Sequence, residues 1–317
     1  MNKNARIYIA GHTGMVGSAI KRLLEKEGYN NLIYATSKEL DLTNEIAVKL
    51  FFEKNKPEYV ILAAAKVGGI QANIDNPAIF LRDNLAIQNN VIHQAYLHNV
   101  EKLVFLGSSC IYPKECPQPM KEEQLLTGKL EPTNEGYALA KIAGLKMCQY
   151  YYKQYGFKSI SLMPCNLYGE NDSFDLAHSH VLSALVKKIT DAKEQDLPTV
   201  TLWGSGIARR EFMNVKDCAE AILFMLKNYH IYDNFINIGW GEDVSIKELA
   251  EMIKHKTGFM GEIHWDTSKP NGMLRKCMDI NQMKEIGFQP KITLSEGIDE
   301  MIHLYKTKYL QAKTNPI

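Results

Sequence analysis

A chain of 317 residues with 45% apolar side chains can fill one large or two moderate hydrophobic cores. Its 37 Lys and Arg against 36 Asp and Glu leave a formal net charge of +1, which argues against nucleic acid or an anionic membrane as partner and makes any anion site a local one. The N-terminal stretch lacks the apolar run and cleavage site of a secretory signal, no apolar stretch approaches about 18 residues, and six cysteines are scattered without metal-binding spacing, so a cytoplasmic protein with reduced thiols is expected.

In chain order, "RIYIA" at residues 6–10 predicts a strand that runs into "GHTGMVGS" and then the helical pattern "AIKRLLEKEG". The alternation continues with "NLIYAT" as strand, "NEIAVKLFFEKN" as helix, "EYVILAAA" as strand, a long helix from about Pro77 to His98 and "KLVFLGSS" as strand. A helix around residues 135–155 and the strand "SISLMP" follow. Strands rich in Val, Ile and Leu between amphipathic helices predict an α/β fold, a doubly wound parallel sheet of Rossmann type, over residues 1–165. Beyond Pro164 the rhythm breaks, and residues 166–317 read as a smaller, mostly helical C-terminal region, with short strands around a Gly-Ser-Gly turn in "TVTLWGSGIARREFMNV" and a segment near 205–240 returning to the first domain.

Two constellations carry chemistry. Gly11, Gly14 and Gly17 lie between the first strand and the first helix, where small residues let backbone N–H groups and the helix N-terminus approach a pyrophosphate. After the second strand no carboxylate stands at Thr36 or Ser37 to bind a ribose 2′-hydroxyl, and Lys38 is adjacent, which favours NADP over NAD; Asp41 is placed nearer the adenine. Lys38 also reads as a solvated residue at a helix start. The second constellation is "GSSCIYP", residues 107–113, at the carboxyl end of the fourth strand, followed by Tyr137 and Lys141 four apart on the next helix. A ketone that receives hydride leaves an alkoxide to be protonated, and an ammonium beside a phenol is expected to lower its ordinary pKa of about 10.

The segments "IAGHTGMVGSAI", "LAAAKVGGI", "FLGSSCIYP", "LEPTNEGYALAKIAG", "MPCNLYGEND", "SHV", "LWGSG", "REF" and "SKPNGMLRK" resemble, in family order from residue 9 to 276, the GDP-L-fucose synthase family of extended short-chain dehydrogenases/reductases. That resemblance implies GDP-4-keto-6-deoxymannose 3,5-epimerase/4-reductase chemistry with NADP(H) as cofactor and a homodimer built on helices near residues 77–98 and 135–155. It makes Ser108, Tyr137 and Lys141 the reductase triad and Cys110 and His180 the epimerase pair, although Cys110 taken alone would read as a buried filler. The implied cofactor contacts are Gly11, Thr13, Gly14, Met15, Val16, Gly17, Ser37, Lys38, Asp41, Leu42, Ala63, Ala64, Ala65, Tyr137, Lys141, Pro164, Asn166, Leu167 and His180. Substrate contacts fall on Ser108, Ser109, Cys110, Asn166, Lys188, Trp203, Arg210, Asn271 and Arg275, whereas Lys187, Arg209 and Lys276 read as solvated charges. His178 and His180 lack the partners of a metal site, and no metal is expected.

The chain departs from the family pattern at Thr13 and Ser37, where arginines commonly meet the 2′-phosphate, at Gly136 in place of a proline, and at Asn271 in place of an aspartate. The residues between Gly169 and His180 are also unusual, so a GDP-linked 4-keto-6-deoxy heptose stands beside the hexose as expected substrate. The leading expectation is C4 reduction with C3/C5 epimerisation; the alternatives are a C4 reductase without epimerase activity and a non-catalytic Rossmann-type binding protein.

Overall fold

The computed structural model describes residues 1–176, 179–269 and 271–310; His178 and Pro270 lie outside them. The first half alternates strand and helix, with two helices between its third and fourth strands: β1 (Ile7–Ala10), α1 (Met15–Lys26), β2 (Leu32–Ile33), α2 (Glu45–Asn55), β3 (Tyr59–Leu62), α3 (Ile70–Asp75), α4 (Pro77–Leu97), β4 (Lys102–Leu106), α5 (Glu135–Tyr155) and β5 (Ser159–Pro164). There follow β6 (Asn166–Tyr168), α6 (Val181–Glu194), β7 (Thr199–Trp203), β8 (Arg209–Asn214), α7 (Val215–Asn228) and β9 (Phe235–Ile238). The chain continues through β10 (Asp243–Ser245), α8 (Ile246–Thr257), β11 (Glu262–Asp266), β12 (Arg275–Lys276), α9 (Asn281–Glu285) and α10 (Leu294–Tyr305).

The main sheet has the order β2-β1-β3-β4-β5-β9 and is parallel throughout. Its central strands are buried along their length, which explains why their sequences read as continuous apolar runs and not as alternation. Because the chain winds one way from β1 to β2 and the other way from β3 onward, a crevice opens beyond the carboxyl ends of β1 and β3. Two long helices, α4 and α5, cover one face and pack against each other. Gly144 permits that approach, since a Cβ there would come within 2.5 Å of the Phe105 ring and 2.7 Å of Gln88 Oε1. Gln88 Nε2 donates to the carbonyl of Ala140 across the same contact at 2.6 Å.

A second core gathers Tyr168, Phe174, Leu182, Val186, Leu249 and Ile298 around α6, α8 and α10. Capping boxes start two of these helices, Ser245 with Glu248 on α8 and Thr293 with Glu296 on α10. β9 joins the main sheet by pairing with β5, and α7 packs against α1.

One element prediction changes. The strand read over "NLIYAT" is confined to Leu32–Ile33, because Tyr34 already lies 42% exposed beyond the sheet edge. Beyond Pro164 short strands stand among the helices: β8 is flanked by β10 and β12 and also pairs β6, and β7 pairs β11. The short stretches "DVS" and "RK" carry no strand signal of their own and become strands through pairing with β8.

The glycine turn is close-packed at two of its three positions. Gly11 has φ +85°, and a Cβ on it would lie 2.7 Å from the backbone nitrogen of Ala64. A Cβ on Gly17 would lie 2.1 Å from the carbonyl oxygen of Gly11. Gly17→Ala is therefore expected to push α1 off the turn, lowering stability by about 1–3 kcal/mol as overpacked cores do, read as a lower midpoint in thermal unfolding.

Candidate active site

The glycine turn follows β1 and residues Ala63–Ala65 follow β3, at the mouth of the crevice. The turn places Gly14 as the N-cap of α1, with its N–H donating to the Gly11 carbonyl at 3.0 Å, so the free N–H groups at the start of α1 face the turn's mouth. Ala63, Ala64 and Ala65 line the neighbouring strand end, and the Ala63 N–H donates to Ala10 at 3.0 Å. A backbone that only glycine tolerates, at the positive end of a 12-residue helix, fits a pyrophosphate. Ser37 and Lys38 are exposed past β2. Glu39 is tied down by the N–H and hydroxyl of Thr36, both at 2.8 Å, and Asp41 by those of Thr43 at 2.9 and 2.7 Å. The Leu42 carbonyl accepts from Asn90 Nδ2 at 2.9 Å. His12 and Tyr34 are additions the sequence did not flag: their rings stack at 4.7 Å, with Lys21 Nζ 4.5 Å from the Tyr34 centroid.

The carboxyl end of β4 turns at Gly107, where a Cβ would meet Met163 Sδ at 2.1 Å, and Ser108 begins a single 3-10 turn over Ser109–Ile111. Ser108 Oγ accepts the Cys110 N–H at 3.3 Å, while Ser109 is buried and Tyr112 donates to Asn237 at 2.6 Å, both as scaffold. Lys141 crosses behind this turn, 4% exposed, with Nζ donating to the Leu106 carbonyl at 2.7 Å and lying 5.7 Å from the Tyr137 ring centroid. Ser108, Cys110, Tyr137 and Lys141 form one group in which the charge of Cys110 is felt by both Tyr137 and Lys141.

The electrostatics differ from the sequence expectation. Burial, with Cys110 adding to it, holds the Tyr137 phenol well above its ordinary value instead of below it. Burial also brings the Lys141 ammonium down to about 8. Desolvation therefore outweighs the attraction between an ammonium and a phenolate, and the phenol is kept as a proton donor. The Cys110 thiol, 6% exposed, is likewise raised by burial, opposed by the ammonium groups of Lys276 and Lys141 and by the Ser108 hydroxyl.

His180 comes from another element, as the N-cap residue of α6, with its side chain 47% exposed. Its Nδ1 lies 3.1 Å from Asp172 Oδ1, and that hydrogen bond raises the imidazole above its ordinary value.

On the nucleotide side, Lys188 donates to the Thr201 carbonyl at 3.2 Å and lies 5.7 Å from the ring of Trp203, which is 57% exposed and flanked from elsewhere by Lys269 at 5.3 Å. Arg210 is held by the carbonyls of Arg209 and Asn271 at 2.8 and 3.1 Å, and burial lowers its pKa against the opposing pull of the Glu131 carboxylate. Asn271 Oδ1 accepts from the Ser205 N–H at 2.9 Å, and Asn166 Nδ2 donates to the Glu211 carbonyl at 2.9 Å. Pro164 ends β5 and Leu167 is buried in β6.

Two cations exchange roles relative to the sequence reading. Arg275, expected at the diphosphate, is bound through Nε to Asp243 Oδ2 at 2.5 Å, and Arg209 takes Asp243 Oδ1 at 2.5 Å. Lys276, read as solvated, is the half-buried one, acting on Cys110 and Arg210. In a two-residue strand neighbouring side chains point to opposite faces, and the sequence alone does not say which is inward. Glu211 was also missed: it is fully buried, pushed up to about 7, and accepts the N–H groups of Gly241 and Met278 at 2.7 and 2.9 Å, which fixes the strand end carrying Lys276. Among the described residues no cluster of three His, Cys, Asp or Glu could hold a metal.

The pattern of the NAD dependent epimerase/dehydratase family matches residues 7–239. A GDP-L-fucose synthase from Arabidopsis thaliana is 52% identical over 96% of this chain and 94% of its own length. The GDP-L-fucose synthase of Escherichia coli K12 is 46% identical over 92% and 94%. Among solved structures, a GDP-mannoheptose C4 reductase from Campylobacter jejuni with NADP bound superposes with a TM-score of 0.89 at 40% identity, covering 96% of this chain and 99% of that one. The chain belongs to the NAD dependent epimerase/dehydratase family and, within it, to the GDP-L-fucose synthase family of extended short-chain dehydrogenases/reductases.

Proposed function

We propose that this protein is an NADPH-dependent reductase of the C4 ketone of a GDP-linked 4-keto-6-deoxy sugar, with epimerisation at C3 and C5 preceding reduction. The observation that carries this reading is the grouping of Ser108, Cys110, Tyr137 and Lys141 at the carboxyl end of β4, on the sheet edge that also carries the glycine turn and where open α/β sheets bind ligands. The turn from Gly11 to Gly17 and Ala63 to Ala65 would hold NADPH, which when bound would supply the hydride. Tyr137 supplies the proton to the C4 oxygen, Ser108 hydrogen-bonds that oxygen, and the Lys141 ammonium offsets the charge left on the phenol. For epimerisation the C4 ketone acidifies its neighbouring carbons: the thiolate form of Cys110 removes a proton, the enolate rests on the same Ser108 and Tyr137, and His180 returns a proton to the opposite face.

The diphosphate fits the half-buried guanidinium of Arg210 and the Lys188 ammonium, with a base against exposed Trp203. The 40% identity to a GDP-mannoheptose C4 reductase favours a second reading, reduction of a heptose without epimerisation. We place the enzyme in the cytoplasm, in keeping with its six free thiols. Among the described residues no helix is long and apolar enough to cross a membrane. The outward Ile79 and Leu97 of α4 and Leu139 and Tyr150 of α5 support a homodimer through these helices, expected to scatter light at twice 36.0 kDa.

In deuterated water, purified enzyme with NADPH and GDP-4-keto-6-deoxymannose is expected to yield reduced product labelled at C3 and C5, read by mass spectrometry. Tyr137→Phe in the same assay loses about 10²–10⁴-fold in turnover. Reduced product without label would replace the bifunctional reading by the reductase reading, and turnover unchanged in Tyr137→Phe would remove the catalytic reading altogether. Because the ammonium of Lys141 is the form present below about 8, initial rates of NADPH oxidation are expected to fall as pH rises through that value. In Lys141→Met the rate should be low and lack that step.

A further inference from the structure

The carboxylate of Asp172 is deeply buried, with its side chain only 3% exposed, and it is built into a network. Oδ1 lies 3.1 Å from His180 Nδ1 and accepts the Ser173 N–H at 2.9 Å, while Oδ2 accepts the hydroxyl of fully buried Ser183 on the first turn of α6. Among the described residues, His180 is the one ionic partner of Asp172, and Asp172 the one charged group acting on His180. The segment that carries the carboxylate is fixed to the cofactor helix: Asn171 Nδ2 donates to Ser18 Oγ at 2.9 Å, and Glu170 pairs with Arg22 and with Lys308, each at 3.4 Å.

A buried carboxylate with one cationic partner is balanced when that partner holds its proton. At the N-terminus of a helix the dipole opposes an imidazolium, so the opposite charge of Asp172 is what sustains it there. We infer that Asp172 is the positioning residue of His180, fixing Nδ1–H inward so that Nε2–H is the proton delivered to the sugar. This inference rests on the epimerase reading above. In the step, the Nε2–H bond breaks as a C–H bond forms at the enolate carbon, leaving neutral imidazole. Asp172 keeps its charge and Nδ1 its proton. The proton that Cys110 removed returns through solvent to Nε2, whose ring is open to water.

Asp172→Asn keeps the shape and can still accept from Nδ1–H while donating to Ser183, so it isolates the charge. In protein carrying ¹⁵N-labelled histidine, with His180→Asn to assign the signal, the His180 titration midpoint is expected to fall by at least one pH unit in Asp172→Asn. Deuterium incorporation at C3 and C5 should slow at least tenfold near neutral pH, while NADPH-linked reduction of substrate already epimerised at both carbons stays within twofold. A wild-type midpoint at or below that of a free histidine overturns the inference without any variant, and covers the case in which Asp172→Asn does not fold. Label lost in His180→Asn but retained, with an unmoved midpoint, in Asp172→Asn also overturns it and leaves the epimerase reading standing. Absence of label in the wild type removes the epimerase reading, and the inferred proton delivery falls with it.

Discussion

The site depends on an ammonium buried beneath a strand end. Lys141 has one backbone carbonyl, that of Leu106, to replace the water it loses, and it keeps this position because α5 lies close enough to the sheet for its side chain to reach the last carbonyl of β4. The closeness is set by Gly144 and by the Gln88 bridge to α4, neither of which touches the chemistry. Four residues earlier on the same helix face, half-buried Tyr137 has its ring centroid 5.7 Å from the Lys141 ammonium. Desolvation acts on both groups in the direction of neutrality, which leaves a phenol with a proton to give and an amine close enough to neutral pH to respond to a new negative charge.

Much of the architecture was legible from residue order. Apolar runs such as "YVIL" and "KLVFL" could be read as buried parallel strands, and the glycine triplet between β1 and α1 could be read as a cradle, because steric and hydrophobic rules act locally there. What escaped were elements that exist through pairing. "DVS" and "RK" become strands by joining β8, and whether Arg275 or Lys276 faces inward is settled by which side of that small sheet meets Cys110.

The same distinction holds within the site. Tyr137 and Lys141 sit one helical turn apart, and Ser108 and Cys110 share one turn, so their companionship could be read from spacing. Asp172 lies eight residues before His180 on an irregular segment, and Glu211 meets Met278 from 67 residues away, so neither partnership has a periodic signature. Lys141 and Tyr137 could be paired by spacing, yet the direction of the phenol's shift depended on burial, which spacing does not report.

The machinery is divided between two hydrophobic cores. Ser108, Cys110, Tyr137 and Lys141 are carried by elements packed on the main sheet, whereas His180 heads a helix whose apolar face belongs to the second core with Phe174, Leu182 and Val186. Substitutions confined to the second core would therefore act on the proposed proton delivery by His180 and leave the group at the end of β4 seated as before, so the two proposed steps rest on separate structural supports.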